Sequence, residues 1–276
     1  MKRTGRRPRR SRCVTGRLAP LLAAGLLAAA AAPEIPGSDV HAAAGSAGPE
    51  REAVVLLHGL GRSPRSMRPL ARALQARGYD VVNLGYPSRR KTIEELSRHL
   101  DAEMARCCSG RAGRVHFVTH SLGGIVLRHY LGNGRVGNLG RVVMLGPPNG
   151  GSELVDLLNR LPLFRHHAGP ARGQLGTGPA GLPARLGAVD FDLGVVAGTR
   201  SWNPLFSWLL PGPDDGMVAL EKTRVEGMSD FLVVPRTHAF MMRSRDVARQ
   251  TAAFLRNGAF DRDVRAPEAS RDRGAP

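Results

Sequence analysis

Aromatic residues make up only 5% of this 276-residue chain, and it holds just three cysteines. Cys13 sits in a basic N-terminal tract, and Cys107 and Cys108 are neighbours. Adjacent cysteines rarely bridge, because a disulfide wants Cα atoms about 5.5 Å apart. A disulfide framework is therefore excluded, and an apolar core must hold the fold unaided. The two neighbours are expected to end a helix as small buried side chains. No internal repeat is visible, which argues against a solenoid. No charge-free apolar run reaches the ~20 residues of a bilayer-spanning helix. Acidic residues are also few, at 23 against 40 Lys+Arg, a formal charge of +17. Such a balance raises the question of nucleic acid, but basic residues are not interleaved with aromatics and no binding module is recognisable. A hydrophobic fraction of 42% excludes wholesale disorder, and the length suffices for one large α/β domain.

Much of the charge belongs to the first segment. Residues 2–17 carry eight basic residues and no acid, and Leu18–Ala32 follows without a charge. Pro33 and Pro36 come next, and Val40-His41-Ala42 offers small residues for a signal peptidase. A basic stretch, a short apolar stretch and an Ala-rich exit predict a secretory signal peptide over 1–42. The alternative is an uncleaved membrane anchor. Arg9-Arg10 does not single out a twin-arginine route, since Ser-Arg-Cys-Val follows the pair. Export places the remaining chain in the periplasm or outside the cell. Residues 43–276 then hold 32 basic and 21 acidic residues, a formal +11. Their scattered arginines suit mild attraction to an anionic lipid surface better than a nucleic-acid groove.

Beyond an Ala/Gly/Ser/Pro linker at 43–51, short apolar runs alternate with amphipathic stretches. Strands are predicted at Ala53–Leu57, Tyr79–Leu84, Val115–Thr119, Arg141–Leu145, Val189–Ala197 and Phe231–Val234. Helices are predicted from Ser63-Pro64 to Arg77, from Thr92 to about Cys107 behind a Thr92/Glu95 capping box, over Ser121–Tyr130 and over Asp246–Leu255. This alternation implies βαβ units: an α/β domain over 52–260, built on a mostly parallel sheet with helices on both faces. Residues 159–187, rich in Gly, Pro and Arg, break the rhythm and read as a cap or lid insertion. The charged tail 261–276 reads as disordered.

Thr119-His120-Ser121-Leu122-Gly123-Gly124 joins a predicted strand to a predicted helix. Small residues around such a sharp turn let both backbones approach, lifting the serine hydroxyl above the sheet edge. Thr119 departs from the Gly-x-Ser-x-Gly pattern by replacing its first glycine. Leu57-His58-Gly59-Leu60-Gly61 ends the first strand, where a glycine turn can aim an N–H at a reacting oxygen. The backbone N–H groups of Leu60 and Leu122 are the candidate oxyanion donors. A serine nucleophile needs a base and an orienting acid, ordered Ser, Asp/Glu, His in this type of fold. Of the histidines downstream, His129 falls on the following helix and His166 and His167 in the cap. His238 lies between the last strand and the last helix and is the preferred base. Asp215, directly before Gly216, is the preferred acid over Asp214, with Asp190 and Asp192 behind them. His58, Gly59, His120 and Asn149 are candidate substrate contacts. Trp202 and Phe206, in the apolar group with Trp208, Leu209 and Leu210, form an acyl-chain wall or membrane-facing lid, or else ordinary cap packing.

With these motifs, the chain resembles the α/β-hydrolase superfamily. It looks closest to the triacylglycerol lipase/esterase-like branch, which includes GPI-inositol-deacylase-like hydrolases. Gly146-Pro147-Pro148-Asn149-Gly150-Gly151-Ser152 and Thr237-His238-Ala239-Phe240-Met241 add to the likeness. Pro147 and Asn149 stand where such lipases carry Thr and His. The resemblance implies a Ser121–His238–Asp215 triad, an ester or lipid substrate, a covalent acyl-enzyme and no organic cofactor. Some lipases of this type bind Ca²⁺, but the sequence offers no acidic cluster for it, so no metal is expected. An acyltransferase with the same nucleophile, or an exported binding protein on this scaffold, are the alternatives. Oligomeric state has no signature in the sequence.

Overall fold

In the computed structural model the described residues are 51–134, 136–160 and 169–262. The expected signal peptide, the linker up to residue 50, His166, His167 and the tail beyond residue 262 lie outside them. Six strands form one parallel sheet in the order β2-β1-β3-β4-β5-β6. They are β1 (Ala53–Leu57), β2 (Asp80–Leu84), β3 (Val115–His120), β4 (Leu139–Leu145), β5 (Leu193–Gly198) and β6 (Asp230–Val234). The longer helices are α1 (Pro64–Gln75), α2 (Ile93–Cys108), α3 (Leu122–Asn133), α4 (Glu153–Arg160) and α8 (Arg245–Asn257). Shorter ones are α5 (Pro170–Gly173), α6 (Leu182–Arg185) and α7 (Pro204–Leu209). No described helix is long and apolar enough to cross a membrane.

The apolar runs explain the layering. Successive strand residues point to opposite faces, so a strand apolar at every position must be covered on both. Ala53, Val55 and Leu57 of β1 pack with Ile93, Leu96 and Leu100 of α2 and Ile125 of α3. Val54 and Leu56 pack on the other face with Met67, Leu70 and Leu74 of α1 and Val247, Phe254 and Leu255 of α8. The spacing of Met67, Leu70, Ala71 and Leu74 gives α1 a single buried stripe. At the start of α2, Thr92 Oγ1 accepts from Glu95 N at 3.3 Å and Thr92 N donates to Glu95 Oε2 at 2.8 Å. Both bonds satisfy N–H groups that the first helical turn leaves without partners. Cys107 and Cys108 close α2 as free thiols; Cys108 is buried and Cys107 half-buried.

β5 begins at Leu193 rather than Val189, because Asp190 and Asp192 lie in a connection pinned by Val189 N donating to Glu226 O. α4 has no counterpart among the helices expected from sequence; its eight residues follow a Pro/Gly-rich loop that masks their periodicity. From β1 the chain builds outward to β2 on one side and, through β3, to β4, β5 and β6 on the other. The crevice at the C-terminal ends of β1 and β3 is therefore the topological switch point, where open α/β sheets bind ligands.

Candidate active site

Ser121 stands at that switch point, between β3 and α3. Its φ of 53° makes it the one non-glycine at positive φ among the described residues. A side chain there costs of order 1–3 kcal/mol, which the surrounding packing must sustain. Gly123 permits the approach: a Cβ on it would lie 2.8 Å from Leu57 O and 3.0 Å from His58 O. A Cβ on Gly124 would meet Met144, Pro147 and Thr119 at 3.1–3.3 Å. Thr119 is fully buried and fits without its hydroxyl finding a hydrogen-bond partner.

The loop after β6 brings His238 over Ser121. His238 Nε2 lies 2.9 Å from Ser121 Oγ, and His238 Nδ1 lies 2.7 Å from Asp215 Oδ2. Asp215 is 2% exposed, and its Oδ1 accepts from the amides of Met217 (3.0 Å) and Val218 (2.9 Å). The backbones are tied as well, His238 N donating to Asp215 O at 2.9 Å. Two glycines leave room for this array. A Cβ on Gly146 would lie 3.0 Å from Asp215 Oδ2 and 3.1 Å from His238 Nδ1, and one on Gly198 would lie 2.9 Å from Asp215 Cβ.

Asp214 turns elsewhere, its Oδ1 accepting from Gly216 N at 2.6 Å and Ser207 Oγ at 3.0 Å. It shapes the turn on which Asp215 sits. Asp192 is exposed beside Arg141, and His129 bonds Asn133 along α3.

His120 precedes the serine and is 1% exposed. Its Nε2 donates to His238 O at 2.9 Å, so Nδ1 carries the lone pair; Nδ1 has no hydrogen-bond partner. Burial, then the charge of His238, hold its pKa well below the usual imidazole range. A Cβ on Gly59 would fall 2.7 Å from His120 Nδ1. The neutral ring thus wedges between the loop after β1 and the loop carrying His238. The amides of Leu60 and Leu122 have no acceptor among the described residues.

A cavity of about 230 Å³ opens beside Ser121, His120, His238 and Leu60. Its walls are mostly apolar: Leu154, Val155 and Leu158 of α4, Leu175 after α5, and Met217 and Val218. Gly59 also lines it, as do Arg62 and Arg172.

Four residues expected at a substrate do not line this cavity. His58 Nδ1 donates to Gly59 O at 2.9 Å, its ring stacks on Tyr86 with centroids 4.2 Å apart, and the Tyr86 hydroxyl donates to His58 O. It joins the ends of β1 and β2. Asn149 is buried between Arg128 Nη1, which donates to its Oδ1 at 3.2 Å, and Thr223 O, which accepts from its Nδ2 at 2.8 Å. Desolvation lowers the Arg128 pKa to about 10. Arg128 and Asn149 together brace the loop after β4. Trp202 is 78% exposed; its Nε1 donates to Thr237 Oγ1 at 3.1 Å and its ring meets Phe240 edge-on. Phe206 lies half-buried on α7. Conversely, sequence reasoning passed over Arg62, Arg172 and the α4 leucines. The apolar pairs Leu154-Val155 and Leu157-Leu158 are a local signal for the α4 residues alone; nothing local marks Arg62 or Arg172.

A parallel sheet with a strand–serine–helix turn at its switch point, crowned by hydrogen-bonded His and Asp, defines the architecture of the α/β hydrolases. A model of the alpha/beta hydrolase family matches residues 54–274, and the chain belongs to that family. Among solved structures, the mature Bacillus licheniformis lipase BlEst2 aligns with a TM-score of 0.60 and 18% identity, over 75% of this chain and 92% of that one. The Legionella pneumophila phospholipase PlaB aligns with a TM-score of 0.58 and 19% identity, over 73% of this chain and 57% of that one. The metagenomic carboxyl esterase MGS0156 aligns with a TM-score of 0.52 and 18% identity, over 68% of this chain and 64% of that one. At these identities the likeness is one of fold. No curated protein matches the sequence.

Proposed function

We propose that the chain is a serine carboxylic-ester hydrolase, an esterase or lipase. The observation that carries this reading is the unbroken relay from Ser121 Oγ through His238 to Asp215, with contacts of 2.9 and 2.7 Å. Ser121 Oγ attacks the ester carbonyl while its proton passes to His238 Nε2. Asp215, fixed by two amides, holds the Nδ1–H tautomer and stabilises the imidazolium. The Leu60 and Leu122 N–H groups receive the developing oxyanion. Collapse expels the alkoxide, which takes the proton from His238 and leaves an acyl-enzyme at Ser121. A water molecule, deprotonated by His238, attacks the acyl carbonyl; release of the carboxylic acid returns the proton to Ser121.

The apolar wall of Leu154, Val155, Leu158 and Leu175 suits an acyl chain. A volume of about 230 Å³ lies below the roughly 300 Å³ at which drug-sized pockets begin. Short to medium chains therefore fit best. Steady-state hydrolysis of p-nitrophenyl esters of increasing chain length tests this. Activity that peaks at short chains and vanishes in Ser121→Ala supports the reading; full activity in Ser121→Ala refutes it.

The same reading extends to location. The N-terminal 42 residues direct export, with an uncleaved anchor as the alternative. Trp202, Leu205 and Trp208, exposed at 78%, 61% and 81%, form a patch suited to a lipid–water interface. Trp202 joins that patch to the His238 loop through Thr237 and Phe240.

A further inference from the structure

The cavity beside Ser121 has two cations in its wall, Arg62 and Arg172, and no Asp or Glu. The carboxylate of Asp215 is buried behind His238, with both oxygens engaged. Arg62 is exposed and follows the Leu60-Gly61 turn directly. Gly61 backs onto a third guanidinium: a Cβ there would fall 2.7 Å from Arg89 Nε and 2.8 Å from Arg89 Nη2. The backbone of Arg89 in turn abuts the start of α5, since a Cβ on Gly169 would lie 1.9 Å from Arg89 O. Arg172, 6% exposed, projects from that same helix into the cavity wall. The three arginines thus border the site as a rim: Arg62 and Arg172 stand in the cavity wall, and Arg89 lies outside it, with its guanidinium beside Gly61 and its backbone beside the start of α5. Arg172 already has a partner of its own, whereas neither Arg62 nor Arg89 stands in an ion pair among the described residues.

Like charges gathered at an apolar cavity repel one another and focus a positive potential into it, so an anion bound there relieves the repulsion and is concentrated at the site. Arginine's planar fork matches the paired oxygens of a carboxylate or phosphate. The Leu60 and Leu122 amides meet the oxyanion that develops at the scissile carbonyl; the arginine rim is a separate feature that faces a permanent charge.

We infer that the Arg62–Arg89–Arg172 rim binds an anionic oxygen group, carboxylate or phosphate, carried by the ester substrate itself. The enzyme is then selective for anionic over neutral esters. This inference rests on the ester-hydrolase reading and sharpens its substrate class.

Two matched pairs of soluble esters test it. The first is mono-p-nitrophenyl glutarate against p-nitrophenyl pentanoate, with the charge on the acyl side. The second is butyryl-glycerol phosphate against butyryl-glycerol, with the charge on the alcohol side. Acid release at fixed low ionic strength gives kcat/KM for each. The native protein is expected to favour the anionic member of one pair by roughly tenfold, the worth of one charge-assisted contact. The pair that responds tells which side of the ester bears the charge. That ratio should collapse in the exposed double variant Arg62→Gln/Arg89→Gln and fall below one in Arg62→Glu. Anionic-to-neutral ratios at or below one in both pairs overturn the inference, as does a preference that survives both variants. Failure to hydrolyse any of the four esters would instead count against the ester-hydrolase reading.

Discussion

His238 Nε2 lies 2.9 Å from Ser121 Oγ although 117 positions separate the two residues. The parallel sheet brings them together: β3 delivers the serine, and β6, at the far edge, delivers the histidine. Local sequence encodes each half of the pair, and the strand order encodes their meeting.

Asp214 and Asp215 are neighbours with different tasks. Asp215→Asn should lower kcat by about 10⁴-fold, since the amide favours the wrong histidine tautomer. Asp214→Ala strips a buried turn of its bonds to Ser207 and Gly216. It should cost about 1–3 kcal/mol of stability and far less activity. Parallel kinetics and urea denaturation of both variants check the distinction.

Gly123 tests the elbow. The Cβ introduced by Gly123→Ala would press on the backbone oxygens of Leu57 and His58. We expect a loss of about 1–3 kcal/mol in stability. Because α3 would be pushed away from the turn bearing Leu60, kcat should also fall more than KM changes.

His120 makes stability depend on pH. Its pKa is depressed in the folded state by burial, then by the charge of His238, from an ordinary value of 6.5. Below about pH 6.5 the unfolded chain therefore binds a proton that the folded protein refuses. Stability is full above that pH and declines as pH falls through it, by at most about 1.4 kcal/mol per pH unit for this group. Urea titrations between neutral and mildly acid pH read the slope, which should flatten in His120→Gln. An equal slope in that variant would assign the effect to other histidines.

Trp202 and Trp208 are the protein's two tryptophans, and both are exposed. Tryptophan fluorescence, excited selectively over the three tyrosines, therefore reports on this patch. Anionic phospholipid vesicles should shift the emission to the blue and sediment the protein, and Trp202→Ser/Trp208→Ser should weaken the sedimentation. Unchanged emission at saturating lipid contradicts interfacial docking.

The architecture was legible because short, β-branched apolar runs such as Ala53–Leu57 and Val142–Leu145, bounded by turn residues and alternating with amphipathic stretches, read as strands covered on both faces. Ser121 and His238 were legible as candidates because each follows a strand closely, and Asp215 because an Asp-Asp-Gly turn marks it, although α7 stands between it and β5. The cavity wall was not. Arg62, Leu158, Arg172 and Met217 come from four separate segments, and no local pattern announces that folding gathers them. Asn149 and His58 misled for a related reason. A polar residue beside a catalytic motif reads as a substrate contact, whereas Asn149 meets the buried Arg128 and His58 stacks on Tyr86.

The central claim is that Ser121 is the nucleophile. Treatment of the folded protein with a fluorophosphonate, followed by peptide mass spectrometry, tests it most directly. The account predicts one stoichiometric adduct, on Ser121, with ester hydrolysis lost in step with labelling. A folded protein that stays unlabelled, or an adduct on another residue with Ser121 untouched, would contradict it.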